Sequence, residues 1–96
     1  MMRYLLFLVL TLPGVLYAGG SHERARELVE QGAIMPLEQL IAQVQQEHDW
    51  RLLEAELEEE GQRIIYEIEW LDPQGRVHKI HYDANNGAVI AEEIDN

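Results

Sequence analysis

Four histidines and eighteen acidic residues are the side chains of this chain that could carry chemistry. A zinc site needs three or four ligands converging on one point. His78 and His81 are three apart in a segment that alternates like a strand, so they point to opposite faces. His22 lies near the expected mature terminus and His48 near the end of a helical stretch. No converging metal set is expected, and His78, which shares parity with Ile80 and Tyr82, reads as a core-edge residue. Nucleophilic catalysis needs a hydroxyl or thiol held beside a base. The chain has no cysteine, and after Ser21 it has no serine or threonine. Asp83-Ala84-Asn85-Asn86-Gly87 has the look of the first residues of a calcium loop, but the later bidentate glutamate and flanking helices are missing. It reads as a turn in which Asp83 and Asn85 hydrogen-bond locally. No catalytic residue, cofactor site or metal site is assigned.

The acidic residues are arranged by strands. Leu53, Ala55 and Leu57 alternate with Glu54, Glu56 and Glu58; Ile64, Tyr66, Ile68 and Trp70 alternate with Ile65, Glu67, Glu69 and Leu71. Strand side chains point to opposite faces at a period of two, so each run has one apolar and one mainly acidic face. Glu54, Glu56, Glu58, Glu67 and Glu69 are therefore expected on the solvated outer side of two adjacent strands. Like charges facing one another in a sheet are destabilising. A small domain that carries them anyway points to a docking surface for a protein partner with a basic surface. Strand addition at an open edge is the other docking mode considered.

Turn signals set the elements. Ser21 is a candidate N-cap, with Glu23 in the first turn, and Gly32 stops a short helix carrying Ala25, Leu28 and Val29. Pro36 suits the first turn of a second helix, whose apolar stripe is Leu37, Leu40, Ile41 and Val44. Strands are predicted over Trp50–Glu59, Arg63–Leu71, Arg76–Tyr82 and Ala88–Glu92, separated by Glu60-Gly61-Gln62, Asp72-Pro73-Gln74-Gly75 and Asn85-Asn86-Gly87. Connections this short make neighbours antiparallel. The fold class is α+β: a short N-terminal helix, then one main helix packed on a four-stranded antiparallel meander. The predicted core is Leu37, Leu40, Ile41, Val44, Leu53, Leu57, Ile64, Tyr66, Ile68, Ile80, Tyr82 and Val89, with Trp70 covering one end.

The first twenty residues read differently. Arg3, the apolar run from Tyr4 to Leu12 and the small residues Ala18-Gly19-Gly20 have the layout of a signal peptide, cleaved after Ala18 or after Gly20. Tyr4 to Ala18 is shorter than the ~20 residues of a membrane span, and Pro13-Gly14 interrupts it. The expected organisation is a leader over 1–20 and a single domain over 21–96, exported to the periplasm or secreted, with no stable membrane anchor after processing. Cleavage at Gly20 removes one of seven basic residues, leaving 6 − 18 = −12. Such a charge disfavours nucleic acid and favours a basic partner or cations; it also serves plain solubility. A domain this small has a thin core, and the chain is read as a monomer or weak dimer.

The series Gly32, Ile34-Met35-Pro36-Leu37-Glu38, alternating strands, Asp72-Pro73-Gln74-Gly75-Arg76-Val77 and Asp83-Ala84-Asn85-Asn86-Gly87 resembles the PepSY domain of peptidase propeptides. It is similar above all to the small stand-alone exported PepSY proteins, over about Arg24 to Glu93. The resemblance implies a non-catalytic protein that binds and modulates, in the inhibitory sense, a peptidase or other envelope protein. Alternatives are an accessory of an envelope-sensing two-component kinase and a weak periplasmic cation binder.

Overall fold

The structure is a computed structural model and describes residues 21–95. The leader and its two cleavage positions, with the side chains of Ser21 and His22, lie outside the described residues.

Helix α1 (Ser21–Glu30) begins at Ser21 itself, the residue expected to cap it. Gly32, at φ 75°, ends it with two reversed hydrogen bonds: Gly32 N–H to the Val29 carbonyl at 3.0 Å and Ala33 N–H to the Leu28 carbonyl at 2.9 Å. That closure needs a residue in the left-handed region, which glycine enters without a Cβ clash. Helix α2 (Leu37–Glu47) starts one residue later than expected. Pro36 is its N-cap, extended at ψ 138°, and its carbonyl accepts the N–H groups of Gln39 and Leu40.

Strands β1 (Arg51–Glu60), β2 (Arg63–Leu71), β3 (Val77–Asp83) and β4 (Val89–Asp95) form one antiparallel sheet in the order β1-β2-β3-β4. The predicted α+β meander is the observed fold. On the inner face Ala55 lies opposite Ile68 and Ile68 opposite Ile80, while Leu57, Tyr66 and Tyr82 form the next row. Leu37, Leu40 and Val44 of α2 complete this core, joined by Ala25 and Leu28 of α1, Ile34 and Ala84. Trp70, expected only to cover an end, is fully buried, and its indole N–H donates to the Tyr82 hydroxyl at 2.9 Å.

Two core assignments are corrected. The register shifts between Leu52 and Glu54, so Leu53 is an extra residue in β1 and Leu52 takes the inner position opposite Trp70. Such a bulge reverses the parity upstream of it. Val89 faces the inner side opposite Tyr82 but is 60% exposed, because β4 lies beyond the reach of α2. Ile41 and Ile64 pack against the core while half-buried.

The connector after α1 is tied to the last turn. Met35 N–H donates to the Ala84 carbonyl at 2.8 Å, Ala84 N–H to the Ile64 carbonyl at 2.9 Å, and the Tyr66 hydroxyl to the Met35 carbonyl at 2.8 Å. Asn85 Nδ2 donates to the Ala33 carbonyl at 3.0 Å. Asp83 accepts the Asn85 N–H at 2.8 Å, the local turn bond expected from sequence, but the second local bond, expected of Asn85, is made by Asn86, whose Oδ1 accepts the Ala88 N–H at 2.9 Å. Gly87 sits at φ 80°, and a Cβ there would lie 3.2 Å from Met35 Sδ and 3.3 Å from Leu40 Cδ1. At Gly32, by contrast, a Cβ would meet nothing within 4 Å. Both positions penalise alanine through their φ, by about 1 kcal/mol, and only Gly87→Ala must also move its neighbours. Urea unfolding is expected to show Gly87→Ala less stable than Gly32→Ala by roughly 1 kcal/mol; equal losses would contradict the close approach.

Candidate functional site

The outer face carries the glutamates where alternation placed them. Glu54 lies opposite Glu69, Glu56 opposite Glu67 and Glu58 opposite Ile65; on β3, Lys79 follows Glu69 and His81 follows Glu67. Lys79 Nζ is 3.6 Å from Glu69 Oε2 and 3.7 Å from Glu67 Oε2, and His81 Nε2 is 3.5 Å from Glu67 Oε2. The expectation of a solvated face is corrected at its centre. Glu56 is 3% and Glu58 8% exposed, and Ile65 on the same face is also buried. Facing side chains on paired strands stand only about 5 Å apart, so long ones lie against each other rather than in water.

The crowding has an electrostatic consequence. Burial, hydrogen bonding with Glu67 and the charges of Glu67, Glu58 and Glu54 push the Glu56 carboxyl up to about 8. Burial and Glu67 raise Glu58; burial and Glu69 raise Glu54. Burial would lower Lys79, but Glu67 and Glu69 together raise it.

A second polar cluster lies at the end of the inner face. Asp72, buried after β2, accepts the N–H groups of Gln74 and Arg76 on Oδ1, both at 2.9 Å. Its Oδ2 meets Arg76 Nε at 3.1 Å and His78 Nε2 at 2.8 Å. His78 Nδ1 reaches Glu92 Oε2 on β4 at 3.2 Å. Trp50 stacks on His78 with ring centroids 4.3 Å apart and on His48 at 3.9 Å. His78 holds Asp72 below the carboxylate range, with the Arg76 and Gln74 amides adding to the effect. Burial opposes the charged imidazole of His78, yet Asp72 and Glu92 outweigh it and raise it. An Asp–His pair is two-thirds of a hydrolytic triad, but residues 22–95 contain no serine, threonine or cysteine to complete one. The cluster joins the turn before β3 to the edge strand β4.

That edge strand is the third feature. Every residue of β4 is exposed, including Val89, Ile90 and Ile94. Between it and α2 runs an open groove of about 390 Å³, lined among others by Leu40, Val44, Trp50, Ile80, Tyr82 and Val89. The partner-site residues expected from sequence thus share one face, and the open β4 side is a further feature beyond them. Its signal was available in Val89, Ile90 and Ile94, apolar residues on the last strand of a meander.

The described helices lie on one face of a four-stranded meander whose edge strand β4 is exposed. Residues 34–93 match the family described as PepSY, peptidase propeptide and YPEB domain, and the chain belongs to that family. No curated protein and no solved structure matches it. No helix among the described residues is long and apolar enough to cross a membrane.

A buried acid whose folded-state pKa is raised stabilises the fold below its unfolded value and loses that contribution as pH rises through the folded value. For Glu56 the loss spans the interval from its ordinary 4.5 to about 8. Between about pH 5 and 6.5, above the ordinary aspartate range and below that of histidine, the outer-face glutamates dominate the slope. Stability in metal-free buffer is expected to fall there by roughly 1 kcal/mol, about half the unscreened linkage value. Glu56→Gln should flatten most of the fall in urea titrations; an unchanged slope would contradict the assignment.

Proposed function

We propose that this chain is a non-catalytic, exported PepSY module that binds a protein partner and restrains it, the partner being a peptidase or another envelope protein with a basic surface. One observation carries the reading: among the described residues, the β4 side leaves backbone edge, apolar side chains and a groove uncovered on an otherwise well-packed domain. An exposed strand edge is a template for pairing with another chain. Membership of a family named for peptidase propeptides supports the class of partner. The pattern of the first twenty residues supports export, with a single domain over 21–96 as the working product.

The acidic face takes a supporting part. Glu54, Glu67 and Glu69 retain some exposure, whereas Glu56 and Glu58 are buried and unsuited to direct contact. Their field speeds approach of a basic partner, and β4 supplies the contact. Charge at a rim acts on association rate and salt dependence, while buried apolar contact acts on dissociation.

The test is capture of exported peptidases on the immobilised protein, followed by kinetics on the captured species. The double variant Val89→Asp, Ile94→Asp is expected to weaken capture at least tenfold through faster dissociation. The variant Glu54→Gln, Glu69→Gln is expected to slow association several-fold at low salt and little at high salt. Capture that ignores both variants would remove the proposal.

A further inference from the structure

The strongest unassigned feature is the centre of the outer face. Carboxylate oxygens of Glu56, Glu58 and Glu67, one from each residue, all lie within 4.8 Å of one another. Convergence of acids alone is common on acidic proteins. What sets this group apart is that Glu56 is 97% buried and its Oε1 has no hydrogen-bond partner among the described residues. A buried carboxyl oxygen without a partner carries a desolvation penalty that a native fold rarely leaves uncompensated, and an ion that binds there displaces the proton Glu56 otherwise holds at neutral pH. The nearby donors are committed elsewhere: Lys79 and His81 both approach Glu67 Oε2, Lys79 also Glu69.

We propose that Glu56, Glu58 and Glu67 form a binding site for a hard divalent cation, of which calcium fits best. The donor set is all oxygen, the preference of calcium and magnesium over softer metals. The three oxygens lie within 4.8 Å of one another, and calcium, with its longer bonds and flexible coordination, accepts an irregular set that magnesium, which demands a near-ideal octahedron, does not. Glu56 and Glu67 stand opposite each other on β1 and β2, and Glu58 is two residues further along the same face. Two rigid paired strands therefore fix the three carboxylates, and water can complete the coordination. The site is separate from β4, so its fate does not decide the docking reading. The Asp83–Gly87 turn takes no part, its Asp83 and Asn86 side chains being spent on local backbone N–H groups.

The test is calorimetric titration of the purified protein with calcium chloride and, separately, magnesium chloride in chelator-treated buffer at neutral pH, together with thermal unfolding in each. One calcium per chain is expected, with Kd on the order of 0.1–1 mM, the range of extracellular calcium modules. Magnesium is expected to bind at least several-fold more weakly. At ten times the Kd, calcium should raise Tm by roughly 5–10 °C. Glu56→Gln and Glu67→Gln should each weaken binding tenfold or more, while Glu38→Gln on α2 should leave it unchanged. No saturable calcium binding up to about 10 mM would overturn the proposal and leave a carboxyl pair sharing a proton as the reason for the burial. Binding retained in both Glu56→Gln and Glu67→Gln would overturn it equally, by placing the ion elsewhere.

Discussion

Leu37, Leu40 and Val44 of α2 meet Tyr66, Ile68 and Ile80 on one side of the sheet, and α1 adds Ala25 and Leu28 to the same core. Both described helices therefore serve one face. Strand geometry then sends every second side chain to the opposite face. With so few residues the inner layer must be filled efficiently, and it is: Trp70, Tyr66 and Ile68 are fully buried, and the polar atoms of the two aromatics are satisfied by Tyr82 and the Met35 carbonyl. The outer face receives what remains, which on β1 and β2 is mostly glutamate.

The motifs behind the family resemblance turn out to be joints rather than sites. Gly32 closes α1, Met35 and Pro36 lead into α2, and Asp83 to Gly87 form the last turn. These segments touch through Met35 N–H to Ala84, Asn85 to Ala33 and the close approach of Gly87 to Leu40. Asp72, Gln74 and Arg76 form another joint, extended through His78 to Glu92 on β4. Sequence signatures of this kind hold a scaffold together.

Much of this was legible in the sequence because short turns and clean alternation leave few topologies. β2 was predicted at Arg63–Leu71 and lies there, since Gly61 and Pro73 bracket it and no irregularity interrupts it. Leu53 failed because a bulge adds one residue without altering the apolar pattern that precedes it. Val89 failed because parity tells which face a residue takes but not whether a helix extends over it. Ala25 and Leu28 were read as helical, yet their place in the core depends on how α1 folds back, which is a tertiary matter. The acidic row was placed correctly, while the burial of Glu56 and Glu58 was not foreseen: it depends on the packing of neighbours across strands. The link from Asp72 through His78 to Glu92 joins residues twenty apart in the chain, and no local pattern announces it.

The sheet's outer face compresses glutamates that its few cations do not neutralise. Carbon-detected NMR titration of the glutamate side-chain carboxyls measures this residue by residue. In metal-free solution Glu56 is expected to titrate near 8, far above an ordinary glutamate. Titration of Glu56 in the ordinary glutamate range would mean that it stands in water, and the arrangement of the outer face described above would be wrong.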